Sequence, residues 1–131
     1  ADCFHCHGGG GNPLFTTNLF YNNGKEIIIN DPFDRLSISH DPMDMGAYKA
    51  TTLRNIELQG PYMHDGRFET LDEVIEFYSH SVIMTPLINP LMHHANDNGV
   101  QLTPSEKQDL KSFLHSLRLT LSRTPFRRIR S

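Results

Sequence analysis

Apolar side chains are scarce in this chain of 131 residues: hydrophobic types make up 37% of it, low for a single globular domain. A core built from them alone would be thin, and a large apolar cofactor would fill part of the shortfall. No apolar run approaches the roughly 20 residues of a membrane helix. No secretory leader opens the chain, which is therefore expected to be a mature form without a membrane span. Cysteine is almost missing, with Cys3 and Cys6 the only two, so a disulfide framework is excluded once that pair has another use. Charge is unevenly spread. Arg118, Arg123, Arg127, Arg128 and Arg130 put +5 into residues 118–131, which leaves −8 on the preceding 117 for a total of −3. Nucleic-acid binding needs a wider basic surface than one tail. Two regions follow, a domain over 1–117 and a basic tail over 118–131. The tail is either a solvated extension or a docking element for an acidic partner or an anionic surface.

Against those absences stands one dense motif. Cys3-Phe4-His5-Cys6-His7 is a C-x-x-C-H pentapeptide, the attachment signature of a c-type haem. Two thiols at that spacing reach two vinyl groups on one porphyrin edge, and the next residue places an imidazole under the iron. Cys3 and Cys6 are thereby thioether anchors and His7 the proximal ligand of one covalent haem c. A redox disulfide or half a zinc site could use the same pair. Zinc would have to recruit His5, His7 or the distant His40, His64, His93 and His94, none in an H-x₃₋₅-H arrangement. No βαβ pattern surrounds the motif as a thioredoxin-like site requires. Haem attachment in bacteria takes place outside the cytoplasm, so this reading implies a periplasmic address.

Gly8-Gly9-Gly10-Gly11-Asn12-Pro13 lets the backbone turn closely around a bound group. Ile27-Ile28-Ile29 reads as a short strand or buried extended chain. Asp-Pro pairs at 31–32 and 41–42, without any period, predict loop from Asn30 to Lys49, and a loop of that length inside a domain tends to wrap something. Two helices announce themselves. Thr70 to Glu73 is a capping box, followed by Leu71, Val74, Ile75 and Tyr78 on one face. Thr103 to Glu106 repeats the box with Pro104 at the first helical position, ahead of a stripe of Leu110, Phe113, Leu114 and Leu117. That stripe must bury against something. In small c-type cytochromes its partner is a helix leading into C-x-x-C-H, whereas here only Ala1 and Asp2 precede Cys3. The expected fold is all-α, a cytochrome c-like haem domain with long irregular loops and without its N-terminal helix, as in a fragment or a chain completed by another polypeptide.

From Asp44 onward the chain resembles one family. The blocks 47–56 (A-Y-K-A-T-T-L-R-N-I), 60–67 (G-P-Y-M-H-D-G-R), 70–78 (T-L-D-E-V-I-E-F-Y) and 102–117 are similar to the C-terminal haem domain of bacterial di-haem cytochrome c peroxidases, a family that includes the MauG-like enzymes that mature methylamine dehydrogenase. The T-L-R-N and P-Y-x-H-D-G blocks are far more specific than C-x-x-C-H alone. The resemblance implies a domain that relays electrons from a small redox protein donor to a peroxidatic haem in a second haem domain, upstream or on a separate chain, where hydrogen peroxide is reduced. A homodimer belongs to the same expectation. A stand-alone mono-haem carrier within a larger redox complex is the alternative, and a maturation-type enzyme that oxidises a partner protein is a third.

The resemblance also places the far-side iron ligand. The position of a distal methionine in typical peroxidases falls on Tyr78, and the maturation enzymes are similar to this chain in having tyrosine there. Periodicity turns Tyr78 inward with Leu71 and Val74. It is either a ligand or a core tyrosine with a bonded hydroxyl, and Met84 and Met92 compete for the iron. Methionine ligation would raise the potential, and a phenolate would favour ferric iron. His64 is either a hydrogen-bonder near the haem edge or a loop histidine serving the local backbone. Arg54 could pair with a propionate, and Asn55 fixes its loop. Backbone carbonyls near Gln59 and Pro61 are implied ligands of an interdomain calcium. His93 and His94 are expected in a polar surface loop.

Overall fold

The computed structural model describes residues 2–9, 11–26 and 31–119. The isoleucines at 27–29 and the tail from 120 onward lie outside the described residues. In chain order the elements are α1 (Phe4–His7), β1 (Phe20–Tyr21), α2 (Leu36–Ser39), β2 (Tyr48–Lys49), α3 (Leu71–His80) and α4 (Pro104–Ser116), with 3₁₀ turns at Pro42–Asp44, Ile56–Leu58 and His93–Asp97.

Both long helices form where their caps predict. Thr70 accepts from Glu73 N–H while the Glu73 carboxylate accepts from the backbone N–H of Thr70, and Thr103 and Glu106 repeat the exchange at α4. Two orphan donors are thereby satisfied at each start. Leu71 and Ile75 of α3 meet Leu114 of α4 and Leu117 just beyond it in one buried cluster, closed by Leu102 and flanked by Phe15, Leu53 and Ile56. Surface ion pairs Lys107–Glu76 and Lys111–Asp72 tie the same helices and add little in water. Phe113 departs from the buried stripe, remaining 45% exposed with its ring edge-on to Phe15 at 5.8 Å.

The expectation of an all-α domain is corrected here. Only 37% of the described residues are helical, the 3₁₀ turns included, α1 and α2 are single turns, and β1 and β2 form an antiparallel ladder with Phe20 opposite Lys49 and Tyr21 opposite Tyr48. The physical reason lies in side-chain acceptors that offer the backbone an alternative to helix. Asp34 is buried and its carboxylate accepts from Ser37 N–H and Gly46 N–H, folding the 31–47 loop on itself. This closes the segment read as plain loop and delivers Tyr48 and Lys49 beside β1.

A second buried cluster of Phe77, Val82 and Ala95 gathers Met63, Phe68, Tyr78, Ile88 and Met92. Beyond α3 the chain returns along its C-terminal turn: Val100 N–H donates to the Tyr78 carbonyl at 3.0 Å, Gln101 N–H to the Ser79 carbonyl at 2.9 Å, and Leu102 N–H to the fully buried Ser79 hydroxyl at 2.8 Å. Gly99 makes this approach possible. Its φ is +137° and a methyl there would lie 2.6 Å from the Ser79 carbonyl oxygen, so a side chain has neither conformation nor room.

Candidate functional site

Cys3 caps α1, and His7 N–H closes the turn on the Cys3 carbonyl at 3.0 Å. Three residues apart on one turn, Cys3 and Cys6 share a face, and neither is in a disulfide. Burial pushes the Cys3 thiol up, and burial followed by the neighbouring Cys3 and Asp2 pushes Cys6 up to about 11. A redox-active pair needs the opposite, an electropositive setting that favours thiolate. Among the described residues, the His, Cys, Asp and Glu ligand atoms that converge as a group of three are those of Glu26, His64 and Asp65; Cys3, Cys6 and His7 form no such cage.

His7 is held by one ring nitrogen. Its Nδ1 lies 3.1 Å from the Thr51 carbonyl oxygen and 3.3 Å from that of Phe15, two acceptors that fix the proton on Nδ1 and leave the lone pair on Nε2. Burial lowers its pKa, with the two carbonyls opposing, so the ring is neutral at pH 7. A neutral imidazole oriented through its second nitrogen is the form that ligates a metal. A cavity of about 570 Å³ adjoins the motif, walled by Cys3, His7, Phe15, Leu53, Leu110 and Phe113. Cys6 and Tyr78 are not in its wall, so it lies on the α4 side of the motif. Paired thiols on one face and an imidazole locked by Nδ1 fit a covalently held haem.

Tyr78 lies on the last turn of α3. Its hydroxyl end is enclosed, while the residue as a whole is half-buried. Burial pushes the phenol up to about 12; a hydrogen bond from Asn23 works against this, and the thiols of Cys3 and Cys6 act with burial. The structure thus brings Tyr78 within electrostatic reach of the haem motif. Met84 is 57% exposed, whereas Met92 packs in the same cluster as Tyr78. Met63 and Asn23 were not singled out from the sequence. Asn23 Nδ2 is 2.9 Å from the Tyr78 hydroxyl oxygen and 3.9 Å from the Met63 sulfur. The signal for Met63 was its place inside the P-Y-M-H-D-G block; Asn23 carried none.

Arg54 sits beside the His7 support. It donates from Nε to the Pro13 carbonyl at 2.6 Å and lies 5.0 Å over the Phe15 ring. Asn55 fixes its surroundings, donating its N–H to the Leu117 carbonyl and accepting from Leu119 N–H. His64 belongs to another constellation: it stacks on Tyr48 at 3.6 Å, and its Nε2 is 2.9 Å from Asp31. Tyr48 donates to the same carboxylate oxygen at 2.7 Å. Lys25, with 6% of its side chain exposed, pairs with Glu26 and Asp65 at 2.8 Å each, and Arg67 joins both. The carboxylates that would complete a cation site with His64 are therefore already neutralised by Lys25 and Arg67. His93 and His94 lie in a 3₁₀ turn, with His94 exposed.

No family model matches the chain. It is similar to a cytochrome-c peroxidase of Denitromonas iodatirespirans, 29% identical over 155 residues that cover 92% of this chain and 38% of that protein. A methylamine utilization protein MauG of Methylorubrum extorquens is 31% identical over 72 residues, 55% of this chain and 19% of that one. Among solved structures, a MauG-like protein associated with microbial copper homeostasis superposes with a TM-score of 0.71 at 34% identity, over 91% of this chain and 43% of the other. The chain spans less than half the length of each of these relatives.

Proposed function

Starting from the homology of this chain to the di-haem cytochrome c peroxidases and MauG, we propose that it is the electron-transfer haem c domain of a periplasmic di-haem peroxidase, spanning 1–117 with 118–131 as an appended tail. Cys3 and Cys6 would hold the haem through two thioether bonds, and His7 and Tyr78 would ligate its iron. Bound there, the haem supplies a one-electron ferric–ferrous couple.

The chain's own residues provide positioning and tuning. Thr51 and Phe15 carbonyls orient His7 and raise its basicity. The enclosed hydroxyl of Tyr78 offers a hard oxygen donor, which favours the ferric state. Arg54, beside Phe15, is the candidate partner of a propionate, and the carbonyls around Gln59 and Pro61 are the candidates for calcium. Electrons from a small redox protein would pass through this domain to a second haem domain, where peroxide is reduced. A partial match to longer relatives supports that division of labour over a stand-alone carrier. Among the described residues no helix is long and apolar enough to cross a membrane.

The observation that carries this reading is His7, locked through Nδ1 beside two thiols on one helical face. Intact-mass analysis and an alkaline pyridine absorption spectrum test it. One haem mass added per C-x-x-C-H, with both thiols resistant to alkylation, is the expected result. Colourless protein with two alkylatable thiols would overturn it.

A further inference from the structure

The amide of Asn23 stands beside two side chains of the second cluster, Tyr78 and Met63. It is 2.9 Å from the Tyr78 phenol oxygen and 3.9 Å from the Met63 sulfur. The NH₂ end of the amide faces both, donating to the phenol oxygen. The residue is braced on either side. Asn22 is buried, donates to the Met45 carbonyl and accepts from Gly24 N–H. The Gly24 carbonyl accepts from Ile83 N–H at 2.7 Å, and a methyl on Gly24 would meet that residue's oxygen at 2.6 Å. Asn23 therefore has little freedom to withdraw. Tyr78 is equally fixed, its carbonyl taken by Val100 N–H.

We infer that Asn23 is the positioning residue that holds Tyr78 as an iron ligand, by donating to its phenol oxygen and fixing where that oxygen points. The inference rests on the reading that Tyr78 is the far-side ligand. A phenol that accepts from an amide keeps a lone pair for a metal. An acceptor at position 23 would instead receive the phenolic O–H, and the donor that orients the oxygen would be lost.

Competition by added imidazole on the haem-loaded protein tests this, because an external ligand must displace the internal one. Asn23→Leu removes the donor, and the near-isosteric Asn23→Asp replaces it with an acceptor and leaves the packing intact. Each should bind imidazole about tenfold more tightly than the unaltered protein. Tyr78→Phe should bind it more tightly still, and in that background the Asn23 substitutions should have no further effect. Unchanged affinity in both Asn23 variants overturns the inference, as does an undiminished effect in the Tyr78→Phe background. If Tyr78→Phe itself leaves imidazole binding unaltered, the ligand reading fails and the inference with it, a result distinct from the other two.

Discussion

Lys25 is a buried ammonium flanked by two carboxylates, and its surroundings dictate how this corner of the molecule responds to acid. Asp65 is held well below the usual carboxylate range: burial works against its ionisation, but hydrogen bonds from Lys25 and Arg67 outweigh it. Glu26 is also lowered, chiefly by Lys25. A carboxyl depressed in the folded state adds stability that is fully present above its unfolded pKa of about 4 and is lost as pH falls through the folded value. Lys25→Met should therefore cost about 1–2 kcal/mol at pH 7, the low end for a broken pair because the carboxylates are partly solvated. The deficit should shrink below about pH 4 as both acids protonate, which urea titrations at several pH values would report. At the motif, Cys3→Ser with Cys6→Ser should yield protein from which acid–acetone extracts all pigment, whereas the unaltered chain keeps its colour in the pellet. The proposal of Cys3, Cys6 and His7 as haem residues draws on spacing that is local in the chain. The Asn23–Tyr78 hydrogen bond joins residues 55 apart, and no pattern in a linear chain marks such a pair.

The starts of the two long helices can be read to the residue because cap and first turn lie within one short window; their ends, which carry no such signal, cannot. Thr70→Ala and Thr103→Ala should each lower stability by about 1 kcal/mol, measurable as a shift in the thermal midpoint. The two-residue strands escaped detection for the converse reason: no period can be seen in two residues, and β1 finds β2 only because the Asp34 carboxylate folds the intervening loop. The α4 stripe was read as wholly buried, yet Phe113 faces the cavity beside Cys3 and His7, since periodicity specifies a face and not what covers it. Gly99→Ala is expected to cost about 2 kcal/mol or more, combining a forbidden φ with a clash against backbone. Loss of that approach should also loosen the Ser79 hydroxyl's bond to Leu102 N–H, which amide exchange would detect.

For the molecule as a whole, two small clusters of buried side chains have to hold 113 described residues together. That is thin, and the haem proposed for the Cys3–His7 motif would add the missing apolar area. Protein stripped of haem, or carrying serine at both cysteines, should melt well below the loaded form and lose near-ultraviolet dichroism first, with α3 and α4 persisting longest. The two long helices could be foreseen from their caps and stripes, but the low helix content could not, because the loop-building side chains act far along the chain: Asp34 accepts across 12 positions and Asn22 donates across 23. One seam gives the molecule a mechanical property. The strand of backbone that leads into α4 is stitched, through Val100, Gln101 and Leu102, onto the residues that carry and follow the phenol. With no slack between them, a partner leaning on the outer side of α4 would tug directly at Tyr78, so docking and electronic tuning would share one lever. Exchange rates at Val100 and Leu102 should then rise and fall together with those of the first turn of α4; independent rates would mean that the lever slips.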